Sequence, residues 1–202
     1  MNEALIIFVK NPEPGKVKTR IAHTMGNENA TLIYKELLDH TKKVTQLLSC
    51  KKFVFYGDNI NQNDLWDNDS YHKVVQHGND LGERMKNSFD FVFKKGYDAV
   101  CIIGSDCMEL SDSIIKSAFY ALNKNDIVIG PSTDGGYYLL GMKQINEALF
   151  LDKNWSTEEV LTQTIIDIKK LNKTYQLLEL ITDIDTEQDW QNFLSKKSTN
   201  KI

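Results

Sequence analysis

Arginine is nearly absent from this chain: Arg20 and Arg84 stand against 22 lysines in 202 residues. A planar, five-donor guanidinium binds phosphate or carboxylate bidentately, so a chain that otherwise uses Lys places Arg where that fork is needed. Both arginines sit in glycine-containing polar segments that follow apolar, strand-like runs. Arg20 closes Lys10-Asn-Pro-Glu-Pro-Gly-Lys-Val-Lys-Thr-Arg20, which also carries Lys16, Lys18, Pro14 and Gly15. Arg84 lies in Gln76-His-Gly-Asn-Asp-Leu-Gly-Glu-Arg-Met85, after Gly78. Two such loops at one sheet edge would form an anion site; two ordinary surface arginines is the competing reading. The first loop is not a P-loop, because Val17 follows Lys16, and no GxGxxG is present. Phosphate would be held there by side-chain cations and backbone donors, unless the loop is only a solvated basic turn.

Three acidic segments could face those cations. Gly104-Ser105-Asp106-Cys107 ends an apolar run, where an α/β sheet presents ligands. A carboxylate facing phosphates suits an intervening Mg²⁺ or Mn²⁺, since hard cations take both kinds of oxygen; a plain turn is the alternative. Gly130-Pro-Ser-Thr-Asp-Gly-Gly-Tyr-Tyr138 aims Asp134 and one or two phenols from a tight turn, with Gly135 and Gly136 permitting unusual backbone. An Asp-Gly hairpin is the competing reading, and Pro131 before the turn with the paired Tyr137 and Tyr138 after it favours a binding loop. Near the C-terminus, strand alternation would point Asp183 and Asp185 to one side as further metal ligands. A helix start capped by Thr186, with Asp189 in its first turn, competes.

Composition narrows the classes. A net charge of −4 gives no general affinity for nucleic acid or anionic membrane. Cys50, Cys101 and Cys107 form no CxxC pair, which fits free thiols in a reducing compartment. The short first apolar run fits neither a signal sequence nor a membrane span, so the expected location is the cytoplasm. His23, His40, His72 and His77 lack zinc spacing, and no GxSxG elbow exists for a nucleophilic serine.

The elements that must position these loops alternate. Strands are expected at residues 4–9, 53–56, 73–76, 99–103, 127–129, 137–142 and 175–181. Helices are expected at 27–48, from Asp80 to about 95, from Ser111 to about 122, from Ser156 to about 169, and at 187–194. Asp80 with Glu83, and Ser156 with Glu159, read as capping boxes. Trp155 lines an acceptor pocket or forms a hydrophobic staple. Residues 59–70 read as an exposed loop, and all three prolines fall in loops. This order predicts one α/β domain with a largely parallel sheet.

Together these segments, with Trp155-Ser156-Thr157 and Asp183-Ile-Asp-Thr186, stand in the order seen in bacterial selenodomain-associated type 1 transferases, which the chain resembles over nearly its whole length. The resemblance implies a single-domain, Rossmann-like GT-A (nucleotide-diphospho-sugar transferase) fold over residues 1–202, its sheet covered by helices on both faces. A tail from about residue 196 is expected to be disordered. The chain is also similar to nucleotidyltransferases that activate phospholactate or molybdopterin. One departure is Met108, where the family usually has Pro.

The resemblance implies that Lys10, Pro14, Gly15, Lys16, Lys18, Arg20, Gly78, Arg84 and Ser105 hold nucleotide phosphates. Asp106 and Asp185, with Asp183, would bind Mg²⁺ or Mn²⁺. Asp134, Gly135, Gly136, Tyr137, Trp155, Ser156 and Thr157 would receive the acceptor. Asp106, Asp134, Lys18 and Arg20 would carry catalysis. The expected activity is glycosyl transfer from a nucleotide donor to a small-molecule acceptor. Nucleotidyl transfer with pyrophosphate release is the alternative, and a non-catalytic nucleotide-binding module the third. The partners are thus a nucleotide or nucleotide-sugar and a small acceptor, without nucleic acid or membrane span, and a homodimer is compatible.

Overall fold

Four successive residues of β1 (Glu3–Val9), Ala4 to Ile7, are completely sealed from solvent. Alternation sends Leu5, Ile7 and Val9 to one face of the sheet and Ala4 and Ile6 to the other. Both faces are therefore covered, which is why the run is apolar without alternation. The structure, a computed structural model, describes residues 1–199.

After β1 the chain forms α1 (Thr19–Met25), α2 (Asn27–Gln46), β2 (Lys51–Tyr56), β3 (Tyr71–Val75) and α3 (Leu81–Phe93). It continues with β4 (Ala99–Ile103), α4 (Asp112–Leu122), β5 (Ile127–Pro131) and β6 (Tyr137–Met142). Then come a 3-10 turn (Glu147–Leu149), α5 (Val160–Lys170), β7 (Tyr175–Leu177) and α6 (Glu187–Thr199). The seven strands lie in the order β3-β2-β1-β4-β6-β5-β7. Only β6 runs antiparallel to its neighbours. Apolar residues of α1, α2, α4 and α6 cover one face, and those of α3 and α5 the other. This is the expected single α/β domain with a mostly parallel sheet.

Several expectations shift. Helix α1 was not expected, and it begins within the first loop at Thr19. Helix α5 begins at Val160 behind an uncapped Glu159, so Ser156 is not its cap. Strand β7 stops at Leu177, and Ile181 makes only an isolated bridge to Ser132. Pro131 ends a strand at an irregular register, where a ladder tolerates a missing N–H. The loop at residues 59–70 is anchored by a buried Trp66 set edge-on against Tyr71. Residues 196–199 of the expected tail are helical, and 200–202 lie outside the described residues. Among the described residues no helix is long and apolar enough to cross a membrane.

Asp80 and Ser111 cap their helices, but the box at Asp80 is displaced by one residue, since Glu83 accepts from the Asn79 N–H rather than from that of Asp80. Asp80 accepts from the Glu83 N–H (2.8 Å) and Ser111 from that of Ile114 (3.3 Å). Thr186 and Asp189 cap α6 reciprocally, with the Thr186 hydroxyl donating to Asp189 at 2.7 Å. These caps fix where three loops at the carboxyl edge hand over to helices.

Candidate functional site

Lys18 is the centre of the carboxyl edge. Its ammonium lies 3.2 Å from Asp106 and 3.1 Å from Asp185, and its side chain is only 5% exposed. Arg20, 68% exposed, holds the second oxygen of Asp185 at 3.1 Å. Burial by itself lowers the Lys18 pKa, but the two carboxylates outweigh it and the group ends above its ordinary value. Lys18 is also a non-glycine residue in left-handed backbone, φ 46° and ψ 50°, at the cap of α1. Such a residue costs about 1–3 kcal/mol and persists only where its surroundings hold it.

Backbone bonds bring the acids together. The Ile184 N–H donates to the Asp106 carbonyl at 2.9 Å, tying the 183–185 segment to the loop after β4. Asp183 and Asp185 then face different partners. Asp183 is partly buried and accepts from the Cys107 thiol at 3.6 Å, while Asp185 meets Lys18 and Arg20. The expected same-side pair does not form, because this segment is no longer strand. Burial, then the Asp134 and Asp106 charges, push the Asp183 pKa up to about 7. Burial and the nearby acids also raise the Cys107 thiol well above its usual range.

Among the described residues, no three His, Cys, Asp or Glu side chains form a group that could hold a metal. The three-acid set of Asp106, Asp183 and Asp185 is therefore not assembled. Asp106 and Asp185 still offer hard oxygens, and the Lys18 ammonium already stands between them as a cation. That pair suits Mg²⁺ or Mn²⁺, which is commonly held by one or two carboxylates plus substrate phosphates.

Other expected residues separate into groups. Lys16 pairs with Glu13 inside its own exposed loop at 2.7 Å and does not join the cluster. Pro14 and Gly15 form the turn that precedes it. Ser105 is buried and bonds the Tyr34 hydroxyl at 3.1 Å, a supporting position rather than a phosphate contact. Tyr34 was missed in the sequence. Its hydroxyl also accepts from the Lys10 N–H at 2.8 Å, so one phenol braces the first loop against β4. Burial, with Asp106 adding, pushes its pKa to about 12, keeping the phenol neutral. Its place on the buried face of α2 resembles any core aromatic, so only the hydroxyl marked it.

Asp134 is exposed at the β5–β6 turn. One carboxylate oxygen accepts from the Ser132 hydroxyl and from the Gly136 N–H at 2.9 Å, which fixes its direction. Tyr137 does not stand beside it, since its hydroxyl turns into the core toward Met85 at 4.0 Å. Burial accordingly raises its pKa. Gly135 adopts φ 86°, and an added Cβ would lie 2.2 Å from the Glu158 carbonyl oxygen. Its own carbonyl accepts from the Leu161 N–H at 2.9 Å. The Asp134 turn and the 155–159 segment are thus one unit. Gly135→Ala should destabilise the protein by about 2–3 kcal/mol in chemical denaturation, from strain plus backbone collision.

Trp155 is partly buried and its indole lies on Gly82, where an added Cβ would be 2.4 Å from the ring nitrogen. The same close approach sets the 155–157 segment beside α3, whose Arg84 donates from Nε to the Gly78 carbonyl at 3.1 Å. Arg84 has no acidic partner among the described residues. Ser156 (φ 65°) and Thr157 are exposed around this turn, and Thr157 donates to the Asn154 carbonyl at 2.8 Å. The structure therefore presents a cation–acid cluster at 18, 20, 106 and 185. The Asp134 charge acts on Asp183, which also feels Asp106, and a second unit joins Asp134 to the 155–159 segment.

Comparisons with known proteins bear on this arrangement. Residues 39–157 match the family described as "Uncharacterized protein conserved in bacteria (DUF2064)". That span includes Asp106, Asp134 and Trp155. No curated protein matches the chain. Among solved structures, a candidate nucleotide-diphospho-sugar transferase from Desulfovibrio desulfuricans G20 superposes with a TM-score of 0.92 at 29% identity, over 98% of this chain and 88% of that one. A CMP:2-keto-3-deoxy-manno-octonic acid synthetase solved with CTP shares the fold, with a TM-score of 0.62 at 6% identity over 99% and 100% of the chains. So does the Rv0371c protein of Mycobacterium tuberculosis H37Rv solved with manganese, at 0.61 and 11%, over 96% and 99%.

Proposed function

This chain belongs to the bacterial DUF2064 family, and we propose that it is a nucleotide-dependent transferase of the GT-A type that moves a glycosyl group to a small acceptor. The observation that carries the reading is the enclosed Lys18 ammonium between two half-exposed carboxylates at the carboxyl edge of the sheet. Such an edge is where open α/β sheets bind ligands. The D. desulfuricans relative adds support at 29% identity, as does the resemblance to selenodomain-associated transferases.

In this reading Lys18 and Arg20 neutralise the donor diphosphate, a positioned charge that gains strength as water leaves. Asp106 and Asp185 would hold Mg²⁺ or Mn²⁺, which supplies charge stabilisation on the departing phosphate oxygens. The manganese-bound relative shows that a protein of this fold takes such an ion. Asp134, its carboxylate aimed by Ser132 and Gly136, orients the acceptor hydroxyl and accepts its proton. Arg84, with no acid beside it among the described residues, binds an anionic group of donor or acceptor. The three free cysteines fit a reducing compartment such as the cytoplasm.

The test is a thermal-shift panel of sugar nucleotides and nucleoside triphosphates with and without Mn²⁺. A donor at a hundred times its Kd stabilises by about 2.7 kcal/mol, a rise of roughly 5–10 °C for this size. Release of nucleoside diphosphate from the binding sugar nucleotide supports glycosyl transfer. Release of pyrophosphate from a triphosphate would replace it with nucleotidyl transfer, and tight binding without any product would leave a binding module.

A further inference from the structure

We propose that Lys18 is a built-in stand-in for the divalent cation: in the free protein its ammonium joins Asp106 to Asp185, and it is exchanged for a metal only when donor phosphates arrive to receive it. This rests on the transferase reading above. The exposures show the direction of the exchange. The Lys18 side chain is 5% exposed, while Asp106 and Asp185 are 42% and 46% exposed. The ammonium therefore sits under the two carboxylates, whose outer sides remain open to an incoming ligand.

A dication on these two carboxylates and an ammonium between them repel at close range, so each weakens the hold of the other. The ion is therefore held best once Lys18 has left, and an ammonium this enclosed needs a new anionic partner when it does. A diphosphate supplies one. The backbone is prepared for the move. Lys18 occupies left-handed φ/ψ without a glycine, directly before the seven-residue helix α1. Such a conformation is held by its surroundings, here by the two ion pairs, and relaxes when they break. Arg20 shares the arrangement, because its exposed guanidinium on Asp185 is free to follow the phosphates.

The consequence is reciprocal coupling. Metal alone should bind weakly, and metal and diphosphate should strengthen each other beyond their direct contact, within the range of about 5- to 150-fold seen for such linkage. Calorimetric titration of Mn²⁺ alone into wild type, Lys18→Met and Lys18→Arg tests this. Lys18→Met should bind Mn²⁺ about tenfold more tightly than wild type, a gain within that range, and Lys18→Arg should not. Equal or weaker Mn²⁺ binding by Lys18→Met overturns the proposal. A variant-free measurement guards against misfolding. The slowly exchanging ammonium signal of Lys18 in nitrogen NMR, identified by its absence from Lys18→Arg, should move to a new position when Mg²⁺ and pyrophosphate are added together, and stay in place with Mg²⁺ alone. An unmoved signal with Mg²⁺ and pyrophosphate bound overturns it as well. The two readings fail separately. A gain in Lys18→Met without nucleotide binding by any protein keeps the exchange and removes the transferase. Nucleotide binding with Mn²⁺ but no gain in Lys18→Met does the opposite.

Discussion

Asp106→Asn is expected to lower turnover by about 10²–10³-fold, the usual cost of removing one preorganised charge from such a site, while the fold stays intact. The loop after β4 does not depend on this side chain. It is held by the Asp106 carbonyl, which accepts from the Ile184 N–H at 2.9 Å, and by Ser105 on Tyr34. The side chain is 42% exposed, so an isosteric amide meets no wall. Lys18 keeps Asp185 at 3.1 Å and can still donate to the amide oxygen. The midpoint of unfolding should move by only a few degrees, about what 1 kcal/mol does in a chain of this length. Loss of activity with preserved stability separates a site residue from a structural one. Unchanged Mn²⁺–nucleotide affinity by calorimetry, with unchanged turnover, would remove Asp106 from the metal and phosphate machinery. Ser105→Ala offers the contrast. It leaves the buried Tyr34 hydroxyl without one partner and should cost stability of about 1–3 kcal/mol.

The sheet was legible because its central strands are buried on both faces. The runs at β1, β4 and β6 carry that requirement in their own residues, and β6 spans Tyr137–Met142 as expected. Helix α1 was not legible. It has seven residues, one buried side chain, Ile21, and no side-chain cap, so its place depends on packing against α2 rather than on local signals. The Ser156–Glu159 box misled for a related reason. The Gly135 carbonyl takes the Leu161 N–H and the turn packs on Glu158, so a contact from β5–β6 decides where α5 starts. At the site, residue types identified Lys18, Arg20, Asp106 and Asp185, which come together. They could not separate Lys16, which finds Glu13 three residues away, or Tyr137, whose pleat position turns it inward. Nor could they show that Asp183 faces a thiol, because tertiary partners are not written in spacing.

Asp183→Asn is expected to stabilise the metal-free protein at pH 8 and to leave its stability nearly unchanged at pH 4. The folded-state pKa of Asp183 is raised to about 7, first by burial and then by Asp134 and Asp106. In the unfolded chain the same carboxyl titrates near 3.9. Between these values the folded state keeps a proton that the unfolded state has released. Stability therefore falls as pH rises through this window, and the loss is complete above about pH 7. Three pH units at 1.36 kcal/mol each give about 4 kcal/mol as an upper bound. Residual access to water reduces this, and a gain of about 2 kcal/mol for the amide at pH 8 is the expected size. Asn keeps an oxygen for the Cys107 thiol, which stays protonated because its own pKa is raised. Urea denaturation of both proteins in the presence of a chelator, at pH 4, 6 and 8, reads the difference directly. The two curves should converge at low pH and separate as it rises; a constant difference across the series would mean that Asp183 is not held protonated by its surroundings.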